Sequence, residues 1–547
     1  MGLTPLLQQW WPELYKTTLI KPFVFPLLLS SLLLFLLKFK KSVSKFKFPP
    51  SPPRLPVIGH LHLLGNLPHR SLHALSEKYG PMLLLYLGGA PTLVVNSAKI
   101  AKEIMKTHDI AFANRVQTRA ANALMYGCTS LGFAPYGEYW RQMKRICVLE
   151  LLSIKRVQSF HFVREEEVAT MIEKIRSNTG LDGGANSVNL GDMLVDTMTS
   201  IISRCILGKK YEGEDNKKRF GQLARNGMEL LIAFSFQDFF PSFGWIDALT
   251  GLVKRLKDTS QGLDAFLDDV IEIYRTSKGN DDQPGNKCLI EILLHLQEEG
   301  KLEIDISQDN LKGILLVSLS LSLSLSVCPS MCVCIPVDMF IGGTDTTSTA
   351  IEWAMTELIK NPTKLKKAQE EVRRVVGEKS KVNEDDIDQM VYLNWVVKEA
   401  LRLHAPIPFL FRQESIGNES TKLGGYDIPP RTRVFINAWA IHRDPKLWDN
   451  PEDFVPERFA NNLIDFKGQD FNFIPFGGGR RGCPGFSFGV LIVEYVLANL
   501  LYWFDWKYPS GPGRDEDFDM SEVTSLVVHK KIPLQLVPVL HSPSFIT

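Results

Sequence analysis

The chain is poor in cysteine and carries almost no net charge. Eight of its 547 residues are cysteines, a share too small for a scaffold held together by disulfides. Its 62 basic and 61 acidic side chains nearly cancel, and no block of five or six like charges occurs, so a nucleic-acid partner is not expected. Disorder and collagen-like repeats are excluded, because 45% of the residues are hydrophobic and no internal repeat is visible.

The length of the chain and the helical periodicity of its apolar residues are informative about the fold. The chain is long enough for three or four average domains, although a single large catalytic fold also reaches this size. Apolar residues recur at helical spacing, for example over 166–176 and 352–376, whereas 82–87, 91–95 and 434–437 are short β-rich runs. We predict a mainly α-helical fold with a small β-sheet (α+β), in which the first two β-rich runs form a hairpin.

An uncharged run, PFVFPLLLSSLLLFLL, occupies residues 22–37 and is followed by five lysines within 38–47. The run is slightly short for a hydrocarbon core roughly 30 Å thick, but residues 18–20 can extend it and Lys21 can snorkel. We predict a transmembrane anchor over residues 1–40, with the rest of the chain in the cytosol by the positive-inside rule. A cleaved signal peptide is the alternative, disfavoured because most of the positive charge follows the run and no small-x-small cleavage site follows it.

Residues 41–60 form a predicted basic and proline-rich hinge. Five prolines fall within residues 49–56, which excludes both a helix and a central strand and favours a stiff, polyproline-like spacer. The remaining residues, 61–547, are predicted to form one globular domain.

The sharpest motif is FGGGRRGCPG at residues 476–485, directly before an apolar helical run. Glycines let the backbone approach a flat ligand and aim several N–H groups at one sulfur, while a helix N-terminus favours a thiolate. Cys483 in this place therefore suits an axial thiolate ligand of haem iron. A glycine-rich turn that carries a buried cysteine is the structural alternative.

This motif resembles the F-x-x-G-x-R-x-C-x-G signature of the cytochrome P-450 superfamily, and the matching positions are Phe476, Gly479, Arg481, Cys483 and Gly485. Three further motifs stand in the family's order. Residues 342–347 (GGTDTT) resemble its oxygen-activating stretch, 399–402 (EALR) its E-x-x-R helix, and 456–459 (PERF) the segment that completes a Glu-Arg-Arg network. The surroundings of Trp140 resemble those of plant microsomal members.

The resemblance implies a haem-thiolate monooxygenase that binds haem b, with Cys483 as the axial ligand of the iron and Arg481 at a haem propionate. It also assigns cofactor contacts to Phe476, Gly485, Trp140 and Lys144. Lys144 departs from the family's W-x-x-x-R pattern, so its contact is only that of a point charge. Arg412 stands one position before the family's usual arginine, which Gln413 replaces, and is left unassigned.

Two further sets of residues follow from the resemblance. Asp345 and Thr346 are expected to relay protons to the distal oxygen, in a stretch rich in poor helix formers. A capped helix start is the structural alternative for that stretch. Glu399 and Arg402 lie at i and i+3, and Arg458 is expected to complete a buried structural triad with them.

The resemblance also implies the partners. We expect electrons from NADPH through a separate NADPH–cytochrome P-450 reductase, docked on a basic face with Arg141, Lys144 and Arg145. The other partners are O2, a small hydrophobic substrate of plant specialised metabolism, and the endoplasmic-reticulum membrane. The substrate pocket is expected to draw on residues 117–129, 339–343, 407–411 and 524–526. The alternatives are a peroxide-rearranging haem-thiolate enzyme and an inactive membrane haem protein.

Residues 317–337 form an uncharged insertion of 21 residues that begins with alternating Val/Leu and Ser. Without it, the flanking residues join into an uninterrupted family helix. We interpret it as a retained intron, because a CT dinucleotide repeat reads as alternating Leu and Ser and pyrimidine-rich tracts mark introns. A second membrane span and a metal site formed by Cys328, Cys332 and Cys334 are the alternatives. The prolines and serines oppose the span, and the metal site lacks a fourth ligand.

Overall fold

A computed structural model describes residues 46–179, 186–208, 214–277, 288–289, 291–292, 330–414, 421–460, 462–509 and 519–541. Internal contacts distinguish two units, Met1–Lys47 and Phe48–Thr547, and the second is described here. The predicted anchor over 1–40 and residues 317–329 of the predicted insertion lie outside the described residues.

Helices carry most of the regular structure, as predicted. The α-helices are α1 (Pro68–Tyr79), α2 (Ala98–Lys102), α3 (Arg119–Leu124), α4 (Glu138–Ile146), α5 (Ile154–Ser159), α6 (His161–Ser177), α7 (Leu190–Leu207), α8 (Glu214–Leu231), α9 (Phe236–Phe239), α10 (Ile246–Leu249), α11 (Leu252–Ser277), α12 (Ser330–Lys360), α13 (Pro362–Val376), α14 (Glu384–Ile387), α15 (Val391–Leu403), α16 (Ala438–Ile441) and α17 (Phe486–Trp503). Short 3-10 turns lie at Leu61–Leu63, Pro241–Phe243 and Pro456–Phe459, and π turns follow α2 and α4 at Glu103–Thr107 and Cys147–Leu151.

The sheet content is small. The strands are β1 (Met82–Leu87), β2 (Ala90–Val95), β3 (Val188–Asn189), β4 (Phe409–Gln413), β5 (Thr421–Leu423), β6 (Tyr426–Ile428), β7 (Arg433–Asn437), β8 (Phe504–Lys507), β9 (Glu522–Thr524), β10 (Val528–Lys530) and β11 (Gln535–Leu540). They form a four-stranded sheet in the order β1-β2-β7-β4, a three-stranded sheet β3-β11-β8, and the pairs β5-β6 and β10-β9. The predicted hairpin is confirmed, since β1 and β2 pair antiparallel from Met82↔Val95 to Leu87↔Ala90.

The helical pattern over 352–376 belongs to two helices. The first, α12, ends at Lys360, and the second, α13, starts at Pro362 with Asn361 as its N-cap. Proline lacks a backbone N–H and clashes inside a helix, but it fits the first turn, where the N–H would be unpaired in any case. Pro362 therefore separates two helices, although the helical spacing of apolar residues continues across it.

The helix α17 forms the centre of the large hydrophobic core. It packs against α6, α12, α13 and α15, so apolar residues occupy its whole circumference, as expected for a buried helix. Among the described residues it alone is long and apolar enough to cross a membrane, but 72% of it is buried inside the protein. Its entrance therefore places the cysteine motif at the N-terminal end of a helix that the core surrounds.

The long helix α12 packs against α7, α15 and α17. Eight residues of the predicted insertion, 330–337, form its first turns and continue directly into the GGTDTT stretch. That stretch accordingly lies well inside a helix, and the alternative interpretation of it as a capped helix start is wrong.

Candidate active site

The motif around Cys483 forms a tight loop that leads into α17. The Cys483 N–H donates to the carbonyl oxygen of Phe476 at 2.9 Å. Gly477 and Gly479 have φ angles of +72° and +63°, a region that glycine adopts without steric cost. A Cβ on Gly479 would also lie 2.2 Å from the Met105 carbonyl oxygen. Only glycine fits at position 479, because both the backbone angle and the close approach exclude a side chain.

Cys483 lies two residues before the helix, whose N-cap is Gly485. Its side chain is exposed, yet the chain packed around the sulfur desolvates it and raises the pKa of the thiol. A hydrogen bond from the Gly485 N–H and the positive charge of Lys144 act in the opposite direction and favour the thiolate. A metal cation bound to the sulfur would complete that shift, because a coordinating thiol is deprotonated.

Trp140 and Lys144 lie on α4 against this loop. The Lys144 Nζ donates to the Gly482 carbonyl oxygen at 2.6 Å, and burial lowers the pKa of the ammonium group. The Trp140 indole N–H donates to the Leu131 carbonyl oxygen at 3.0 Å, and its ring lies 4.3 Å from the guanidinium carbon of Arg481. The Lys144 ammonium group thus faces the loop, and its expected role in docking a partner stays a prediction.

Arg481 is 8% exposed and donates to backbone carbonyl oxygens. They belong to Ala113 at 2.6 Å, Leu131 at 3.2 Å and Ala134. Within the part of the chain that the structure describes, no carboxylate lies within ion-pair distance of Arg481. Its positive charge is therefore not neutralised by an acidic side chain in direct contact.

Arg412 and Arg115 join Arg481 in one cationic cluster. The Arg412 side chain donates through Nη2 to the Gly478 carbonyl oxygen at 2.7 Å. Its buried Nη1 has no hydrogen-bond partner among the described residues and lies 3.9 Å from Asp109. Arg115 donates through Nε to the Gly132 carbonyl oxygen at 3.0 Å. Arg115 belongs to no motif, so it was missed in the sequence. Arg412, which was left unassigned, lies on β4 and is buried.

The electrostatics of the cluster fit a group that carries carboxylates, as haem does. Burial and the like charges of Arg115 and Arg412 lower the pKa of Arg481 to about 8, and burial and Arg115 lower that of Arg412 to about 9. Guanidinium groups stay charged in proteins, so the lowered pKa values indicate that burial, and then like charge, make these cations costly. The nearby carboxylate, Asp109, also pairs with Arg480 at 3.4 Å. The two carboxylates of haem would offset that cost and pair with the orphaned Arg412 Nη1. The residues present therefore fit the cofactor.

The predicted Glu399–Arg402–Arg458 triad is assembled in the structure. Both oxygens of Glu399 accept from Arg402, at 2.8 Å each, and one also accepts from the Arg458 Nε at 2.9 Å. Glu399 and Arg402 are fully buried, and Arg402 also donates to the carbonyl oxygens of His442 and Pro451 at 2.7 Å. Every charge in this network has a partner, which is the condition for keeping ions in a protein interior.

His442 connects the triad to the cysteine loop, and sequence reasoning missed it. Its Nδ1 lies 3.2 Å from the Arg402 carbonyl oxygen, and its Nε2 accepts from the Ile474 N–H at 2.9 Å. This arrangement requires a neutral ring that donates through Nδ1. Burial, followed by the charges of Arg402 and Arg443, lowers the pKa of His442 to about 3.

The neutral state of His442 predicts a pH dependence of stability. In the unfolded chain a histidine has a pKa of about 6.5, so its contribution is complete above that pH and is lost as the pH falls toward 3. We expect the midpoint of thermal unfolding to fall more steeply below pH 6.5 in the wild type than in His442→Gln. The glutamine can accept from the Ile474 N–H but does not titrate. Parallel curves for the two proteins would contradict this assignment.

Asp345 and Thr346 lie on α12. The Thr346 hydroxyl donates to the Gly342 carbonyl oxygen one turn earlier at 2.6 Å, a bond common for threonine in helices. The Asp345 Oδ2 is buried, has no hydrogen-bond partner among the described residues, and lies 3.3 Å from the Nε2 of His529. The carboxyl and hydroxyl groups are thus adjacent, as predicted, and His529 is an additional neighbour that no motif indicated.

An open cavity of about 280 Å³ lies between α3 and α11. Arg119 and Ala123 line it from one side, and Leu256 and Lys257 line it from the other. Of the four ranges expected to form the substrate pocket, 117–129 contributes to this cavity through Arg119 and Ala123.

Comparison with known proteins agrees with this geometry. The family model for cytochrome P-450 matches residues 49–319 and 333–536. The phenylacetaldehyde oxime monooxygenase of Prunus mume is 48% identical over 99% of this chain and 100% of its own length. The cytochrome P-450 71A1 of Persea americana is 51% identical over 88% of this chain and 91% of its own length.

A solved structure supports the fold. A zebra fish cytochrome P-450 with abiraterone superposes with a TM-score of 0.69 at 24% identity, covering 87% of this chain and all of the other. The resemblance found in the cysteine motif is thereby confirmed over nearly the whole length. The chain belongs to the cytochrome P-450 family, whose members bind haem, and it is a plant-type monooxygenase and therefore an oxidoreductase.

Proposed function

We propose that this chain inserts one oxygen atom of O2 into a small apolar molecule of plant specialised metabolism. The observation that carries the proposal is the placement of Cys483 at the entrance of α17, beside a cluster of three arginines whose charge one carboxylate cannot balance. A thiolate ligand together with an anion-binding cluster suits haem b.

The residues that would hold haem b divide the work. Cys483 would supply the axial sulfur, while Arg115, Arg412 and Arg481 would bind its two carboxylates. When bound, haem with a thiolate ligand supplies activation of O2 for insertion into an unreactive C–H or N–H bond. Trp140 supports Arg481 through its ring, at 4.3 Å from the guanidinium carbon, and so fixes the direction of that side chain.

Proton delivery is assigned to Asp345 and Thr346. Both lie on the helix α12 and are partly buried, and the Thr346 hydroxyl keeps an oxygen lone pair available while it donates to the Gly342 carbonyl oxygen. A carboxyl group and a hydroxyl group side by side can exchange a proton with solvent and pass it inward. A rearrangement enzyme would not need this pair, which favours the monooxygenase over that alternative.

The substrate is proposed to be a small aromatic compound. The most informative relative in this respect is the one named for phenylacetaldehyde oxime, because it aligns with 99% of the chain. Phenylacetaldehyde oxime is therefore the first probe to test, followed by other aromatic oximes and by phenylpropanoids.

The cellular setting is also a proposal. The uncharged run at 22–37 and the lysines behind it support an anchor in the endoplasmic-reticulum membrane, with the catalytic unit in the cytosol. No flavin-binding segment was recognised in the sequence, so a separate reductase would deliver electrons from NADPH. Two further candidates for the face that docks the reductase are Arg141, whose side chain is 53% exposed, and Arg145.

The insertion over 317–337 is proposed to be a retained intron. The family model leaves residues 320–332 unmatched, inside the predicted limits of the insertion. If these residues are translated, the first turns of α12 come from residues 330–337 instead of the family's own sequence. The oxygen-activating stretch begins five residues later, so the enzyme is expected to be impaired in this form.

Carbon monoxide difference spectra of the chain with and without residues 317–337 test the function and the insertion together. We expect the shortened chain to show the haem-thiolate band and to oxidise NADPH when a plant reductase is added, because its central helix becomes continuous. The full chain is expected to give a weaker band.

Three other outcomes contradict parts of the proposal. A full band in both forms would overturn the assignment of the insertion. A band without any NADPH-dependent turnover, but with turnover of a fatty-acid hydroperoxide, would identify a rearrangement enzyme instead. Absence of the band in both forms would overturn the proposed function.

A further inference from the structure

We propose that His529 is a positioning residue that holds the Asp345 carboxylate in place for proton delivery, an inference that rests on the proposed monooxygenase function. His529 lies on β10, far from α12 in the sequence. Its two ring nitrogens each approach a side chain of that helix. The Nε2 is 3.3 Å from the Asp345 Oδ2, and the Nδ1 is 2.9 Å from the Thr349 Oγ1.

The two contacts share one geometric basis. Asp345 and Thr349 are four residues apart and therefore lie on the same face of α12. One ring nitrogen meets the Thr349 hydroxyl, and the other lies beside the carboxylate, within ion-pair distance but without forming a hydrogen bond. The Thr349 hydroxyl, which can donate or accept, holds the ring so that Nε2 faces Asp345. No lysine or arginine lies within ion-pair distance of Asp345 in the described part of the chain, so His529 is the candidate to orient it.

The strand that carries His529 is held firmly against α12. The Val528 N–H donates to the Pro406 carbonyl oxygen at 2.9 Å, and the Trp353 indole N–H donates to the Val528 carbonyl oxygen at 3.2 Å. Further along, the Leu534 N–H donates to the Glu352 Oε1 at 2.9 Å. Because both sides of His529 are bonded to the helix region, the imidazole is placed with little freedom, as a group that orients another must be.

Loss of His529 would affect the orientation of the Asp345 carboxylate. The neighbouring Thr346 hydroxyl is already oriented by the Gly342 carbonyl oxygen, whereas the Asp345 Oδ2 has no hydrogen-bond partner among the described residues. Without His529, the carboxylate could rotate about χ1 and χ2 between solvent and Thr346. Proton delivery would then slow, and reduced oxygen would leave as H2O2 instead of being cleaved.

Two substitutions of His529 separate its contacts. In His529→Gln the amide nitrogen reaches the place of Nε2 and keeps a polar contact with Asp345. In His529→Asn the shorter amide reaches the place of Nδ1, so it keeps the Thr349 contact and loses Asp345. We expect His529→Asn to lower product formation by about tenfold, a size typical of losing the partner of a catalytic group, and His529→Gln to stay near the wild-type rate.

The main readout is the ratio of H2O2 released to NADPH consumed, which is measurable without a known substrate and again with phenylacetaldehyde oxime. Release of one H2O2 from O2 consumes one NADPH and one proton, whereas reduction of O2 to two waters consumes two NADPH and two protons. The ratio therefore rises when proton delivery fails. We expect it to rise in His529→Asn and to change little in His529→Gln or in the control His541→Gln.

Two further measurements distinguish positioning from folding. In an Asp345→Asn background, His529→Asn is expected to add no further change, because its target is already gone. Thermal unfolding midpoints of the two His529 variants should be similar, since each keeps one of the two polar contacts. All proteins are compared as the full chain and as the chain without residues 317–337.

The outcomes are separable. An unchanged ratio in His529→Asn, equal rises in the asparagine and glutamine variants, or additive effects with Asp345→Asn would each overturn the inference while leaving the monooxygenase function intact. Failure of both unsubstituted forms to oxidise NADPH would instead overturn the proposed function, and this inference with it.

Discussion

Replacing Cys483 by serine is expected to abolish the haem-thiolate spectrum and all NADPH-dependent turnover. A serine hydroxyl is far less acidic than a thiol and does not donate electron density to iron as a thiolate does. The Gly485 N–H and Lys144, which favour a thiolate at this position, cannot produce an alkoxide. The measurement is the carbon monoxide difference spectrum of the reduced protein, together with haem content.

The matched control is Cys205→Ala on α7. Burial raises the pKa of the Cys205 thiol to about 12, so this sulfur is an inert apolar group and not a candidate ligand. The control should keep the full spectrum. A haem-thiolate band that survives in Cys483→Ser, or one that is lost in Cys205→Ala with its fold intact, would contradict the assignment of the ligand.

Glu399→Ala is expected to prevent stable incorporation of haem. The substitution leaves Arg402 and Arg458 without their common carboxylate, and Arg402 is fully buried. Removing one member of a buried ionic network costs about 3–5 kcal/mol, a large part of the stability of a typical domain. The structural disturbance is expected close to the cysteine loop, because His442 contacts both the Arg402 carbonyl oxygen and the Ile474 N–H. Haem content and the midpoint of thermal unfolding measure the effect.

Glu370→Ala is the control for this prediction. Glu370 forms an ion pair with Lys366 on α13, and the two side chains are 66% and 78% exposed. An exposed i, i+4 pair contributes about 0.5 kcal/mol or less, so haem binding should be unchanged. A Glu399→Ala protein with full haem content and a wild-type midpoint would show that the triad does not support the site.

The contacts of the cysteine loop illustrate what local sequence can reveal. Within residues 476–485, the glycines, the arginine and the cysteine lie within ten positions, so their spacing alone indicates a tight loop before a helix. The i, i+3 spacing of Glu399 and Arg402 likewise places both side chains on one helical face. Patterns of this kind are readable because the distances they encode are set by a single element.

The cationic cluster illustrates what local sequence cannot reveal. The three arginines come from separate segments: Arg115 from a loop, Arg412 from a strand and Arg481 from the cysteine loop. Their separation in the sequence therefore does not indicate that they lie together. The same holds for His529, which lies 184 positions after Asp345. For Lys144, the direction of the side chain depends on the Gly482 carbonyl oxygen, which the spacing does not reveal. Its cofactor contact and its docking role both stay predictions.

The sequence by itself therefore determined the family and the helical character, since each is encoded in contiguous residues or in their composition. It also carries the predictions that Cys483 is the ligand and that residues 317–337 are a retained intron. The tertiary structure alone decided which cations share the anion-binding cluster, which histidine links the triad to the loop, and which histidine faces Asp345. The physical reason is that burial and charge neutralisation are properties of a packed interior, where residues from separate segments meet and where an unpaired charge is costly.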